Sequence, residues 1–385
     1  DVNGNTSTCT TTITVEDNVA PVAVCQNLTV QLDNTGQGST TAAAVNNGSS
    51  DACGVADILL NKTVFNCSEV GSNIVTLTVT DVNGNESTCS ATITVQDNIV
   101  PVAVCQDVTI QLNNSGNAST TATAVDNGSS DACGIQSLSL SQTTFVCSEV
   151  GANTEVLTVT DVNGNTSTCT ATISVEDNVA PAAVCQNVTV QLDNTGNGST
   201  TAIAVDNGSS DACGIASLVL SQTSFLCSEV GANTEVLTVT DVNGNTSTCT
   251  ATITVVDGVA PVAVCQNVTV QLDNTGNGST TAVLVNYGSS DACGIASLVL
   301  SQTAFVCSEV GNKNVVLTVT DVNGNVSQCN AIVTVKDLIA PIALCQPVTV
   351  DLNAAGTASI AAAQVNNGSS DACGIASTTL NNSNF

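Results

Sequence analysis

Between Val75 and Val95 the chain alternates strictly. Val75, Leu77 and Val79 are separated by Thr76, Thr78 and Thr80, and Cys89, Ala91, Ile93 and Val95 by Ser90, Thr92 and Thr94. A period of two puts the apolar set on one face of a strand and the Thr set on the other, and Asn83-Gly84 supplies a tight turn between the runs. The pattern predicts a β-hairpin. Thr29–Leu32, Ser39–Val45 and Val55–Leu60 read as further short strands. The segments Asp33-Asn34-Thr35-Gly36 and Asn46-Asn47-Gly48-Ser49 between them have turn chemistry. No stretch shows helical periodicity. The expectation is all-β: a small sandwich of immunoglobulin-like type.

This unit recurs. Asp-Val-Asn-Gly-Asn starts at Asp1, Asp81, Asp161, Asp241 and Asp321, and Ser-Ser-Asp-Ala-Cys-Gly at Ser49, Ser129, Ser209, Ser289 and Ser369, so the period is 80 residues. A fixed period of that length means tandem copies of a small domain. The break Asp17-Asn18-Val19-Ala20-Pro21 recurs up to Pro341, and proline cannot continue a central strand. The expected boundaries are 18–97, 98–177, 178–257 and 258–337, flanked by 1–17 as the last strand of a preceding repeat and 338–385 as the first half of a further one. Both ends fall within a copy, which reads as an excerpt of a longer polypeptide. Short linkers with Pro and no Gly/Ser run favour a semi-rigid array.

Charge narrows the partners. Thirty-two acids against three bases give a formal charge of −29. Nucleic acid and anionic lipid both require Lys/Arg, so cations are the natural counterpart. No apolar run is long enough to span a bilayer, so no membrane insertion is expected of this segment. With no His, no recurring Lys and no cofactor fingerprint, the chain does not read as an enzyme.

Each complete copy has a single Phe (Phe65, Phe145, Phe225, Phe305), and so small a core calls for staples. Cysteines supply them: Cys9, Cys25, Cys53 and Cys67 recur at the 80-residue period, nineteen in all. Their spacings of 16, 28 and 14 residues contain no close zinc-type pair. They read as disulfides formed in an oxidising, extracellular compartment.

The order Asp97, Pro101, Cys105, then Asp131-Ala132-Cys133-Gly134, Phe145, Gly151, Asp161-Val162-Asn163-Gly164-Asn165 and Ser167-Thr168-Cys169 resembles the hyalin repeat. That is an immunoglobulin-like extracellular module associated with adhesion. The chain is similar to the versions strung in tandem in large secreted surface proteins of Bacteroidota, including gliding-type adhesins. It departs from the family in having Gln (Gln26, Gln106) where Pro often follows the early Cys, and in its scarcity of aromatics. The resemblance implies a secreted or cell-surface stalk or fibre segment, with a cell-surface or matrix partner or copies of itself. The alternative is that the repeats themselves bind a glycan or partner surface by avidity, or assemble into a filament.

Four cysteines per domain allow three pairings. In an immunoglobulin-like topology the first and last strands run parallel, so their starts share one end. This predicts Cys25–Cys89, Cys105–Cys169, Cys185–Cys249 and Cys265–Cys329. The remaining cysteines, which flank the middle strands, are expected to pair as Cys53–Cys67, Cys133–Cys147, Cys213–Cys227 and Cys293–Cys307. Cys105 is out of phase with Val108 and Ile110, which predicts a bulge near Gln106.

Asp81-Val82-Asn83-Gly84-Asn85 reads two ways: as a hairpin turn, or as the oxygen-rich start of a Ca²⁺ loop. In this fold it shares an end with the linker Asp and the Asp of Asp-Ala-Cys, so calcium at each junction would relieve their repulsion. The expected ligand sets are Asp17, Asp51, Asp81, Asn83 and Asn85; Asp97, Asp131, Asp161, Asn163 and Asn165; Asp177, Asp211, Asp241, Asn243 and Asn245; and Asp257, Asp291, Asp321, Asn323 and Asn325. Glu69, Glu149, Glu229 and Glu309 read as turn carboxylates, or as longer-reach ligands.

Overall fold

The computed structural model describes residues 1–385 as two compact units, Asp1–Val179 and Ala180–Phe385. Each contains two copies of one arrangement. In the first copy the chain runs through β1 (Leu28–Gln31), β2 (Gln37–Ser39), the single turn α1 (Ala42–Val45), β3 (Val55–Leu60), β4 (Val64–Asn66), β5 (Gly71–Asp81) and β6 (Glu86–Gln96). The main sheet has the order β1-β6-β5-β3, while β2 and β4 form a separate pair. The other three copies have the same strand order.

The hairpin read from the alternation is the centre of the sheet. β5 and β6 pair antiparallel with Leu77 opposite Cys89, and β1 joins β6 in parallel with Leu28 opposite Ile93. Val75, Leu77, Val79, Ala91, Ile93 and Val95 all point inward and are buried. Phe65 on β4 closes the core from the other side, opposite Gly38 on β2. A Cβ at Gly38 would stand 2.6 Å from Val30, so the small residue lets the strand pair approach β1.

Two local expectations are corrected. Ser39–Val45 is not a strand: it leaves the sheet at Ser39, and Ala42–Val45 makes a helical turn. Thr41 caps it, its Oγ1 accepting from the Ala44 N–H at 3.2 Å, and the turn carries Val45 into the core. Nor is there a bulge at Gln106. Cys105 stands outside the strand in an isolated bridge to Asp126, and pairing with the last strand starts only at Val108. The phase break is a gap in the strand, in which Gln106 donates its N–H to the Val125 carbonyl at 2.9 Å.

The first set of disulfides is as expected: Cys25–Cys89, Cys105–Cys169, Cys185–Cys249 and Cys265–Cys329, each tying the segment before β1, or its equivalent, to the last strand. The second set is not. Cys67 is bonded to Cys133 of the next copy, Cys227 to Cys293 and Cys307 to Cys373. The predicted pairs Cys53–Cys67, Cys133–Cys147, Cys213–Cys227 and Cys293–Cys307 therefore do not form. Cys147 and Cys213 are likewise disulfide-bonded, and Cys9, Cys53 and Cys345 are exposed free thiols.

The reason is length. Cys67 opens a 3₁₀ turn just before β5, whereas Cys53 lies at the Asp81 end of β5, beside Asp17 and Asp51. β5 has 11 residues, so the two cysteines of one copy are held roughly 30 Å apart at opposite ends of the sheet. Cys67 instead meets the cysteine of the copy that follows, with Cα atoms 5.1 Å apart.

Candidate functional site at the repeat junction

The bridge and the acids meet at one place. Side-chain atoms of Asp97, Asp131 and Cys133 lie within 4.8 Å of one another. Asp97 is only 7% exposed. Its Oδ1 accepts from the Ile99 N–H at 3.0 Å, and its Oδ2 is buried with no hydrogen-bond partner. Asp131 Oδ1 accepts from the Cys133 N–H at 2.7 Å, which fixes this carboxylate beside the first. Burial, and then the charges of Asp131 and Asp161, push the Asp97 carboxyl above the ordinary carboxylate range.

The hairpin turn is built separately. Asp161 is fully buried; its Oδ1 accepts from the N–H groups of Asn163 and Asn165 at 2.9 and 2.8 Å, and its Oδ2 from Asn165 Nδ2 at 2.8 Å. Asn165 Nδ2 also donates to the Asp97 carbonyl at 3.1 Å, clamping the incoming linker onto the hairpin. Asn163 Oδ1 is left buried without a partner. So the turn chemistry consumes both Asp161 oxygens, while Asp97 and Asn163 each keep a buried acceptor unused.

The junction inside the second unit repeats this. Asp257, Asp291 and Cys293 cluster within the same limit, and Asp257 Oδ2 is buried and unpartnered. Asp291 accepts from the Cys293 N–H at 2.8 Å, and Asn325 Nδ2 reaches the Asp257 carbonyl at 3.1 Å. Asp321, like Asp81, is pulled up by burial. The side-chain amide and backbone N–H groups of its own turn, Asn325 and Asn323 for Asp321 and Asn85 and Asn83 for Asp81, outweigh that and leave both carboxyls below the usual range. In the first copy Asp17 and Asp51 approach the free Cys53, and Asn85 donates to the Asp17 carbonyl at 3.0 Å. A hydrogen bond to Asp17, and then its charge, raise the Cys53 thiol.

Of the remaining predicted set, Asp177 is buried at the end of the first unit. In the second unit Asp211 accepts from the Cys213 N–H at 2.7 Å, and Asp241 caps its turn through Asn243 and Asn245. Glu69 belongs to neither cluster: it accepts from the Asn66 N–H at 2.9 Å and caps the 3₁₀ turn that positions Cys67.

Sequence reading missed the pair Asp337 and Asp371 beside Cys373, although both sit at the repeating positions. It also missed four serines. Ser87, Ser167, Ser247 and Ser327 each present a buried hydroxyl with no partner, and their constant place two residues before a cysteine was the available signal.

The donor set suits a hard cation. Cys133 and Cys293 are oxidised and offer no thiolate, so the groups available are carboxylate oxygens with an unpartnered buried acceptor among them. Oxygen-only donors of this kind fit Ca²⁺ rather than zinc.

No family model matches the chain. It is 29% identical over 374 residues to Hyalin of Strongylocentrotus purpuratus, which covers 92% of this chain and 31% of that protein. The chain thus spans about a third of that relative's length, and the likeness supports a hyalin-repeat-like relationship. Among solved structures it is similar to the protocadherin gamma B4 extracellular domain (15% identity, TM-score 0.30, 88% of this chain and 70% of that one). It is also similar to the immunoglobulin domains 1–5 of Sidekick-1 (10%, TM-score 0.25, 82% and 80%).

Proposed function

We propose that the chain is a structural segment, a stalk or fibre, of an extracellular repeat adhesin whose junctions are stiffened by calcium. The observation that carries this reading is the cross-repeat disulfide: a chain that bonds each domain to the next uses its cysteines to hold neighbours in place. Sixteen bonded cysteines of nineteen suit an oxidising, extracellular setting. No helix is long and apolar enough to cross a membrane.

In this reading Asp97 and Asp131 hold the ion at the junction of the first unit, and Asp257 and Asp291 at that of the second. Asn163 contributes its free oxygen, and Asp161 and Asn165 shape the turn beneath it. The ion supplies the positive charge that buried Asp97 lacks. A groove of about 640 Å³ opens beside Asp131, lined by Asn34, Asn98, Ile99 and Asp131 itself.

The alternative, in which the repeats themselves bind a partner, has one observation in its favour: Val283, Leu284 and Tyr287 are exposed in the fourth copy. Only Val283 has a large exposed apolar counterpart, Ile203 of the third copy, while Ala204 and Asn207 stand where the fourth copy has Leu284 and Tyr287. The patch as a whole does not recur, which weighs against binding by avidity.

The test compares the whole chain in calcium and in chelator at fixed ionic strength, by thermal melt and small-angle scattering. Calcium should raise the midpoint and lengthen or narrow the distribution of dimensions. If neither changes, the acids are only turn caps and the junction holds no ion.

A further inference from the structure

The two kinds of disulfide overlap, and the overlap is regular. The bridge within a copy spans 64 residues and leaves the linkers outside any such loop: Cys89 to Cys105 in the first unit, Cys249 to Cys265 in the second, and, at the equivalent place, the stretch from Cys329 to the free Cys345. The cross-repeat bridge spans 66 residues and is offset so that Cys67–Cys133 encloses the first of them, Cys227–Cys293 the second and Cys307–Cys373 the third. Every peptide bond between Cys25 and Cys169, and every one between Cys185 and Cys373, therefore lies inside at least one closed loop.

We propose that this offset makes the array tolerant of backbone cleavage: a single cut anywhere in those two stretches, the linkers included, leaves the chain covalently continuous. Hydrolysis adds one water at the cut and breaks no S–S bond, so tension passes through a bridge to the far side. A within-copy pairing such as Cys53–Cys67 would leave each linker as the one place where a single nick parts the fibre. The proposal stands on the disulfides and does not need the stalk reading or the ion.

The packing around the bridge is built for it. Gly36 sits at φ +73°, where a Cβ would stand 2.6 Å from Cys67 Sγ and 3.3 Å from Ala132 of the next copy. Gly196 and Gly276 repeat this against Cys227 with Ala292, and against Cys307 with Ala372. The glycine lets the sulfur and the neighbouring copy share one space.

The native sequence contains its own test. Its only basic residues are Lys62, Lys313 and Lys336, and Lys336 lies in the linker segment between Cys329 and Cys345. Complete tryptic digestion, in mild urea with the free thiols alkylated, yields 1–62, 63–313, 314–336 and 337–385. Cys25–Cys89, Cys265–Cys329 and Cys307–Cys373 tie the first, third and fourth of these to 63–313. The non-reduced digest should be one species with the mass of the alkylated chain plus three waters. Adding a dithiol reductant to the same sample should give four peptides, which also proves that every cut was made. Release of 337–385 before reductant would overturn the proposal, because only the cross-repeat bridge holds it. In Cys373→Ser that fragment alone should leave while 314–336 stays attached; its retention would overturn the proposal equally.

Discussion

The junction at Asp97–Cys133 and the region Asp17–Cys53 carry the same residues but differ in one neighbour. In both, an Asn side chain of the hairpin clamps the carbonyl of the linker Asp, at 3.1 and 3.0 Å. In the first, Asp97 is buried and Cys133 is bonded to Cys67; in the second, Asp17 is half-exposed and Cys53 is a free thiol. One copy alone can therefore assemble the acids and the clamp. What the preceding copy adds is cover, in the form of its own Cys67 and Gly36. An enclosed, unpartnered Oδ2 goes with that bridge at both Asp97 and Asp257, although Asp257 as a whole is only partly buried, and the demand for a counter-charge follows from the enclosed oxygen.

Removing the bridge should make the two places alike. Cys67→Ser with Cys133→Ser opens a 66-residue loop and should cost about 4 kcal/mol by the loop-entropy relation. Denaturant unfolding of the full chain measures this; a loss below ~1 kcal/mol would mean that the packed junction holds without it. Gly36→Ala should do less, about 2–4 kcal/mol, from a strained backbone and a displaced sulfur. Gly48→Ala isolates the first part: φ is +83° but nothing lies within 4 Å of the new Cβ, so only about 1–2 kcal/mol should be lost. Equal losses at the two glycines would show that the sulfur contact is easily relaxed.

The smallest effect is in pH. Asp97 has a folded pKa above its unfolded value, so its contribution is present at low pH and is lost as pH rises from the ordinary carboxylate range through the folded value. Asp81 and Asp321 have the opposite sign: their contribution is present at neutral pH and is lost as pH falls below the ordinary range. In chelator, melting midpoints should therefore decline as pH rises above the ordinary carboxylate range as well as when it falls below that range. Asp97→Asn should abolish the first limb and keep the second. If the limb above the ordinary carboxylate range survives the substitution, another carboxylate is responsible.

Much of this fold was legible because alternation is a local signal. Val75 to Val95 specified the central hairpin, and the parallel first and last strands then fixed Cys25–Cys89. The turn at Ala42–Val45 was not legible, since four small apolar residues fit a short strand as well as a helical turn and only Thr41 marks the cap. The cross-repeat bridge was hidden by the repeat itself. With nearly identical copies, a cysteine 14 residues away and one 66 residues away are equivalent in pattern, and only the length of β5 excludes the nearer. The acids were found by recurrence, but which oxygens were spent on the turn depended on hydrogen bonds that no spacing reveals.

The bond between Cys67 and Cys133 also imposes a timetable. As the chain is made from its N-terminus, Cys25 meets its partner once its own copy is complete, but Cys67 waits until residue 133 has emerged and the next copy has begun to fold. Each newly finished copy thus holds one cysteine, Cys67 or its equivalent, whose partner belongs to the copy that follows. Oxidation trails synthesis by a fixed distance, and an array whose production stalls is marked at the stall by an unpaired sulfur.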